Sequence, residues 1–503
     1  MPRSLNLIIG LFFFFDLLPQ LRAVEMEGGK NTIATIEVVA ESAIQSELSY
    51  LRWAKWLCPK TRVSWIYKHI VLKPGAVFYE SDLLDTKQRL LALGCFAKVS
   101  VHKKNNPVEN DEHAFDILIQ TKDAFPITAE VNISEGALCT ITHNHVGGYG
   151  HKFIHQFFLK KRWGYGLGYE WPQHRGRYLL GGQYYKQIGE DDLYSFRAGN
   201  VWLGKTIAIT RKMEAPYGIV ALADYTKKFL KPPVVTAMYH NYNMVLAHLG
   251  LVDNRSRMIK GVYTLHKLES LPSGGSLSLL YGYQMGESNT RHYLGFCGIK
   301  NIITSSLGCL HLACEMASFL NKKKLEEGIV KLALDYVGPH LSLYNVMRQF
   351  ISVSYITGYR MAEGARLALG RRDPEALEEP SAHELCGITQ PIQTRLNLYA
   401  ASLLHRPLLL RSIYFAGIAF GNYLLLYDRN YTLINATLVD NYGIGVRFEH
   451  FRKTWPTVEL SVAYSPLGRS LKPGWGHLIP MVSISMCGFK NIINHKPTLV
   501  QYS

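Results

Sequence analysis

Across residues 123–503 the commonest pattern is a strict two-residue alternation of apolar and polar side chains. In YGIGVRFEH (442–450), Tyr442, Ile444, Val446 and Phe448 fall on one face, and Gly443, Gly445, Arg447 and Glu449 on the other. In TVELSVAYS (457–465), Val458, Leu460, Val462 and Tyr464 oppose Thr457, Glu459, Ser461, Ala463 and Ser465. Period two is the signature of strands with one apolar face and one polar face. No clean run of 18 apolar residues interrupts it. The nearest, 398–427, is cut by Arg406-Pro407 and Arg411, so a bundle of membrane helices is not expected. About 380 residues of strand is too much for one β-sandwich. A closed sheet satisfies its backbone groups without water, which permits it to cross lipid. At roughly 10 residues per tilted strand plus connections, the length accommodates about 16 strands. The expected fold class is mainly β: a transmembrane antiparallel β-barrel preceded by a small α+β domain.

That smaller domain is expected over residues 24–122, where the pattern changes. Thr32 to Val39 is strand-like, and LSYLRWAKWL (48–57) is a helical insert. Pro74-Gly75 marks a turn. Ser81 caps a helix in which Leu83/Leu90 and Leu84/Leu91 recur seven apart on one face, and Gly94 stops it. Phe96 to His102 and FDILIQT (115–121) supply two further strands. Before all of these, Met1-Pro-Arg3 and the apolar stretch Leu5 to Leu21, broken by Asp16 and followed by Ala23, read as a secretory signal peptide over residues 1–23.

Composition narrows the setting. Charged residues are 19% and aromatics 12%, with 30 tyrosines against 21 phenylalanines, which suits amphipathic rings at membrane interfaces. The formal charge of +16 fits an anionic membrane surface as well as nucleic acid. The Lys/Arg runs are short (160–162 and 322–324), so no nucleic-acid partner is expected. The eight cysteines form no C-x-x-C and no zinc spacing, and their pairing stays open. His143, His145 and His151 lack a Cys or acidic partner at ligand spacing, and Gly164 to Gly168 lacks the lysine and helix of a phosphate loop. No metal, no cofactor and no enzyme activity are expected.

Several motifs carry a resemblance. YITGYRMAEGARLALG (355–370) reads as a strand end, a Gly-Tyr turn and a second strand opening at Gly364. Within it, Ile356, Gly358 and Tyr359 resemble the sixth-loop signature of the Omp85 superfamily (V-R-G-Y/F, the bacterial surface antigen D15 type), with Thr357 where that family has arginine. RSIYFAGIA (411–419) resembles the family's barrel-wall motif, keeping Phe415 but with Gly417 for the acid and Ala419 for glycine, so both halves of the family's ion pair are replaced together. Leu72 to Val101 resembles the POTRA pattern through Pro74, Gly75, Gly94, Phe96 and Val99. NHVGGYGHKF (144–153), YGLGYEWPQHRG (165–176), YGIGVRF, VELSVAYSP and VSISMCGF (482–489) are similar to successive barrel strands of the family, in the right order.

The resemblance implies a barrel in the bacterial outer membrane with one POTRA domain in the periplasm, inserting or translocating other proteins. The implied partners are unfolded outer-membrane clients held at the POTRA sheet edge, outer-membrane lipid or lipopolysaccharide, and periplasmic accessory proteins. It further implies a seam between the first strand, near Ile127 to Ser134, and the last, near Val482 to Phe489. The alternatives are a passive porin and a structural surface-antigen barrel.

Overall fold

The computed structural model describes residues from 32 to 485. It leaves out 43–58, 105–113, 133–136, 172–177, 189–194, 209–215, 232–240, 263–267, 340–346, 362–391, 429–436, 451–456, 465–477 and shorter stretches. The signal-peptide expectation and the helical insert at 48–57 fall outside the described residues.

The first unit contains β1 (Thr32–Glu41), α1 (Val63–Tyr67), β2 (Phe96–Lys104) and β3 (Ala114–Asp123). Its sheet has the order β1-β3-β2, with β1 parallel and β2 antiparallel to the central β3. A register shift in β1 between Ile33 and Ile36 lets residues three apart both face the core, where strict alternation would separate them. They pack there with Trp65, Ile66, Leu90, Phe96, Val99, Phe115, Ile117 and Ile119. The expected amphipathic helix is seen at Asp82, Leu83, Thr86, Lys87, Leu90 and Leu91. Leu90 is fully buried, with Leu83 and Leu91 packed on the same core. At the expected turn Gly75 takes φ +77, which only glycine adopts freely, and its N–H donates to the Ile33 carbonyl at 2.8 Å.

The second unit is a barrel. Its strands in chain order are β4 (Ile127–Asn132), β5 (Ala137–Val146), β6 (His151–Leu159), β7 (Trp163–Glu170), β8 (Tyr178–Ile188), β9 (Ser195–Ala208), β10 (Tyr217–Lys231), β11 (Tyr242–Asp253), β12 (Ser256–Lys260), β13 (Leu268–Pro272), β14 (Gly275–Gly286), β15 (Thr290–Thr304), β16 (Gly308–Asn321), β17 (Lys324–Val337), β18 (Met347–Tyr359), β19 (Ile392–Leu404), β20 (Leu408–Leu410), β21 (Ile413–Asp428), β22 (Thr437–His450), β23 (Thr457–Tyr464) and β24 (Leu478–Ser485). Neighbours pair antiparallel, and the order runs full circle, bringing β24 beside β4. β12 and β13 stand apart as a hairpin in the β11–β14 connection. β20 continues the line of β19 against β21. Counting those two as one leaves eighteen staves among the described residues, close to the number that the length suggests. Strands β4, β6 and β8 run away from the first unit, and their partners return.

Exposure alternates along the strands as the sequence pattern requires. A register row of Leu180, Leu203, Leu222, Ala247, Tyr281 and Leu294 crosses six strands on the outward face; Leu203 and Leu222 are more than half exposed. On β22 and β23, Ile444, Val446, Leu460 and Val462 continue this outward surface, and Ile444 is 72% exposed. An apolar band of that extent is too large for a soluble surface and is the face that a barrel offers to lipid. Outward tyrosines lie at its margin, among them Tyr184, Tyr359 and Tyr464.

Candidate functional site

The inward face of β15 to β23 contains a run of buried charged and hydrogen-bonding residues. Asn301, His311, Asp335, Ser352, Tyr399, Asn422 and Asn441 stand directly opposite one another on seven successive staves from β15 to β22. His311 Nδ1 lies 2.7 Å from Asn301 Oδ1, and Ser352 Oγ donates to Asp335 Oδ1 at 2.5 Å. Because strands tilt in a barrel, such a row climbs the wall. Six inter-strand steps of about 4.8 Å at a tilt near 40° raise it by about 18 Å. It starts three residues from the end of β15 that faces the first unit and finishes four residues from the opposite end of β22. Elsewhere on the inner wall Arg447 and Glu459, directly opposite on β22 and β23, form a buried ion pair at 2.7 Å.

The residues matched to the loop signature sit elsewhere than expected. Ile356, Thr357, Gly358 and Tyr359 are the last residues of β18, paired to β17 and, as far as Thr357, to β19. No Gly-Tyr turn forms: Gly358 is in the strand, and the left-handed position is Arg360, at φ 49. Ile356 is buried on the inward face, whereas Tyr359 is 57% exposed outward. Thr357 Oγ1 meets Thr394 Oγ1 across the strand pair at 2.8 Å. The expected second strand from Gly364 lies outside the described residues. Phe415, Gly417 and Ala419 are likewise strand residues of β21, opposite Phe448, Val446 and Ile444. They share the outward face, with the Phe415 and Phe448 rings 5.9 Å apart. An acid at position 417 would therefore point away from the lumen. Arg447–Glu459 is one ion pair of the inner wall, and alternation in the sequence shows both as polar-face residues without showing that the register brings them together.

In the first unit, Pro74 and Gly75 form the turn, and Phe96 and Val99 lie in the core; Gly94 is outside the described residues. The histidines are neighbours, the His145 N–H lying 3.4 Å from His143 Nδ1, but their rings turn to different partners. His145 turns to the first unit, whereas His151 Nδ1 lies 2.5 Å from the Tyr169 hydroxyl. Among the described residues no group of three His, Cys, Asp or Glu side chains is placed to hold a metal. No disulfide joins Cys309 and Cys314, which lie on opposite faces of β16.

The two units meet in a contact that the sequence did not announce. The β5–β6 turn reaches the segment before α1: Arg62 N–H donates to the Gly148 carbonyl at 3.2 Å, and the Arg62 guanidinium lies 4.4 Å over the Tyr149 ring. Behind it, Thr61 Oγ1 lies 2.8 Å from His145 Nε2 and donates to Asp123 Oδ1 at 2.5 Å. Thr61 N–H donates to Asp123 Oδ2 at 2.9 Å. All three residues are buried, and the Trp65 ring stands 5.6 Å from His145. Burial pushes the Asp123 carboxyl up from its ordinary value, against the lowering effect of the Thr61 hydrogen bonds and nearby Lys60.

These features define a class: a membrane-type β-barrel with a polar inner wall, joined through a buried contact to a small α+β domain. No family profile and no curated protein matches the sequence. Among solved structures several chains are similar to this one. One is BamA from Haemophilus ducreyi lacking POTRA domains 1-3, at 11% identity over 90% of this chain and 84% of that one, TM-score 0.40. CdiB from Acinetobacter baumannii is 10% identical over 90% of this chain and 74% of that one, TM-score 0.43. CdiB from Escherichia coli is 10% identical over 90% and 76%, with the same TM-score.

Proposed function

We propose that this protein is an Omp85-type barrel of the bacterial outer membrane that inserts or translocates client proteins, with its first unit acting as a single periplasmic POTRA domain. The observation that carries this reading is the pairing of an apolar-belted barrel with a small α+β sheet whose edge strand β2 is available for strand addition. A client strand added there would be handed to the seam between β24 and β4. The buried Thr61–His145–Asp123 contact keeps the domain docked beside the seam's own strands, since Asp123 ends the strand that leads into β4.

Depletion of the protein followed by outer-membrane proteomics tests the proposal. Several other barrels should fall in abundance, and a version lacking residues 24–122 should fail to restore them. Unchanged outer-membrane composition, with solute conductance that persists without residues 24–122, would establish a passive channel instead.

A further inference from the structure

The outward face of β8 to β10 carries a charge pattern that client handling does not use. Lys186 stands directly opposite Arg197, and Arg197 directly opposite Lys228. All three are exposed and lie on the face that carries Leu180, Leu203 and Leu222. The neighbouring Lys227 points the other way, its ammonium 4.7 Å over the Phe196 ring. Like charges placed directly opposite weaken a strand pair, and among the described residues none of the three makes an ion pair. Asp224, the acid on the same face of β10, is four residues from Lys228, about 13 Å along the strand.

The position of this row matters as much as its charge. β8 and β10 run away from the α+β domain, and Lys186 and Lys228 lie two and three residues before their ends. The next row toward the domain is Tyr184, Gly199 and Thr226. Gly182, Val201 and Asp224 follow, and then Leu180, Leu203 and Leu222. From the rim inward the face thus runs from cations through hydroxyls, then a row of Gly182, Val201 and the single acid Asp224, to an apolar layer; cations outermost and apolar groups innermost is the depth order of an anionic lipid with its phosphate outermost.

We infer that Lys186, Arg197 and Lys228 bind the phosphate-bearing headgroup of an anionic lipid in the leaflet remote from the α+β domain. This rests on the barrel crossing a bilayer and is independent of client insertion. The rival counter-charge is the chain's own, because the β8–β9 connection contains Glu190, Asp191 and Asp192.

The test is native mass spectrometry of the full-length protein released from mixed micelles of phosphatidylglycerol and phosphatidylcholine. Wild type should retain phosphatidylglycerol preferentially, and K186Q/R197Q/K228Q should lose roughly tenfold or more of that preference. R197K, which keeps the charge, and E190Q/D191N/D192N should both retain it. Excess inorganic phosphate should not displace the lipid. A cation-row variant with undiminished preference overturns the inference. So does a preference that arises only once the loop acids are neutralised, or displacement by phosphate, which marks a free-ion site. A heat-dependent gel shift, read in parallel, reports the closed barrel. Its absence in wild type would remove the membrane reading itself rather than the lipid site alone. If the triple variant does not fold, K186Q alone, set against R197K, decides the matter: equal lipid retention by the two overturns the inference.

Discussion

At the scale of single residues, Thr61 is the position where one atom matters most. Its hydroxyl serves Asp123 and His145 together, and both are buried. Thr61→Val should leave two buried polar groups short of a partner and cost about 1–3 kcal/mol in urea unfolding of the α+β domain. Thr61→Ser should be nearly silent. Asp123 adds a pH dependence. Its carboxyl is raised above the ordinary 3.8, so its contribution is fully present below that value and is lost as pH rises through the raised one. Stability of the junction should therefore decline from about pH 4 toward neutrality, and Asp123→Asn should flatten the slope. None of this was legible beforehand, because Thr61, Asp123 and His145 are up to 84 positions apart in sequence. The Arg447–Glu459 pair was half legible. Alternation assigned both residues to a polar face, but cross-strand register is not written in either strand alone. Glu459→Leu should cost up to about 3–5 kcal/mol by leaving Arg447 buried without its acid, and the double replacement with Arg447→Leu should cost less.

Among the elements, those read from period two were the best anticipated. Strands β2, β22 and β23 fall where their alternation placed them, because a half-buried strand writes its pattern directly into the sequence. The stretch around Gly358 was misjudged for a physical reason. A Gly-Tyr pair between apolar runs has turn chemistry, but pairing with β17 on one side and β19 up to Thr357 on the other holds the backbone extended there. Tertiary pairing overrode local preference. The turn that does depend on glycine is the β5–β6 connection. Gly148 has φ +78, and a Cβ there would lie 2.5 Å from the Lys60 carbonyl oxygen. Gly147 has φ +66 but meets only a Tyr149 ring atom at 3.5 Å. Gly148→Ala should therefore both strain the turn and push the two units apart, costing about 1–3 kcal/mol and exposing residues 124–126 to protease. Gly147→Ala should show the backbone strain alone, with the junction still protected.

For the whole molecule, the barrel was legible as a class because lipid leaves so few architectures open. What the sequence withheld was which strands hold fast and which can part. Side-chain bonds in the row from Asn301 to Asn441 tie β15 to β16 and β17 to β18 on the inside, and Arg447–Glu459 ties β22 to β23. All three links lie in the half of the wall that ends one strand before β24. The boundary between β24 and β4 joins two of the shorter strands, eight and six residues long, and short pairing slips readily. Cysteines introduced pairwise in 127–132 and 478–485 should therefore form a disulfide across that boundary. If the proposed insertion activity uses it, the oxidised protein should still show its heat-dependent gel shift but fail to maintain other outer-membrane proteins, and reductant should restore them. A cysteine pair placed instead across β16 and β17, at Leu312 and Leu334, which are also directly opposite, should lock without any effect. Equal loss of function from both locks would mean that the wall as a whole must flex. No loss from either, with client levels normal, would eliminate lateral opening at β24–β4 and leave the barrel as a channel.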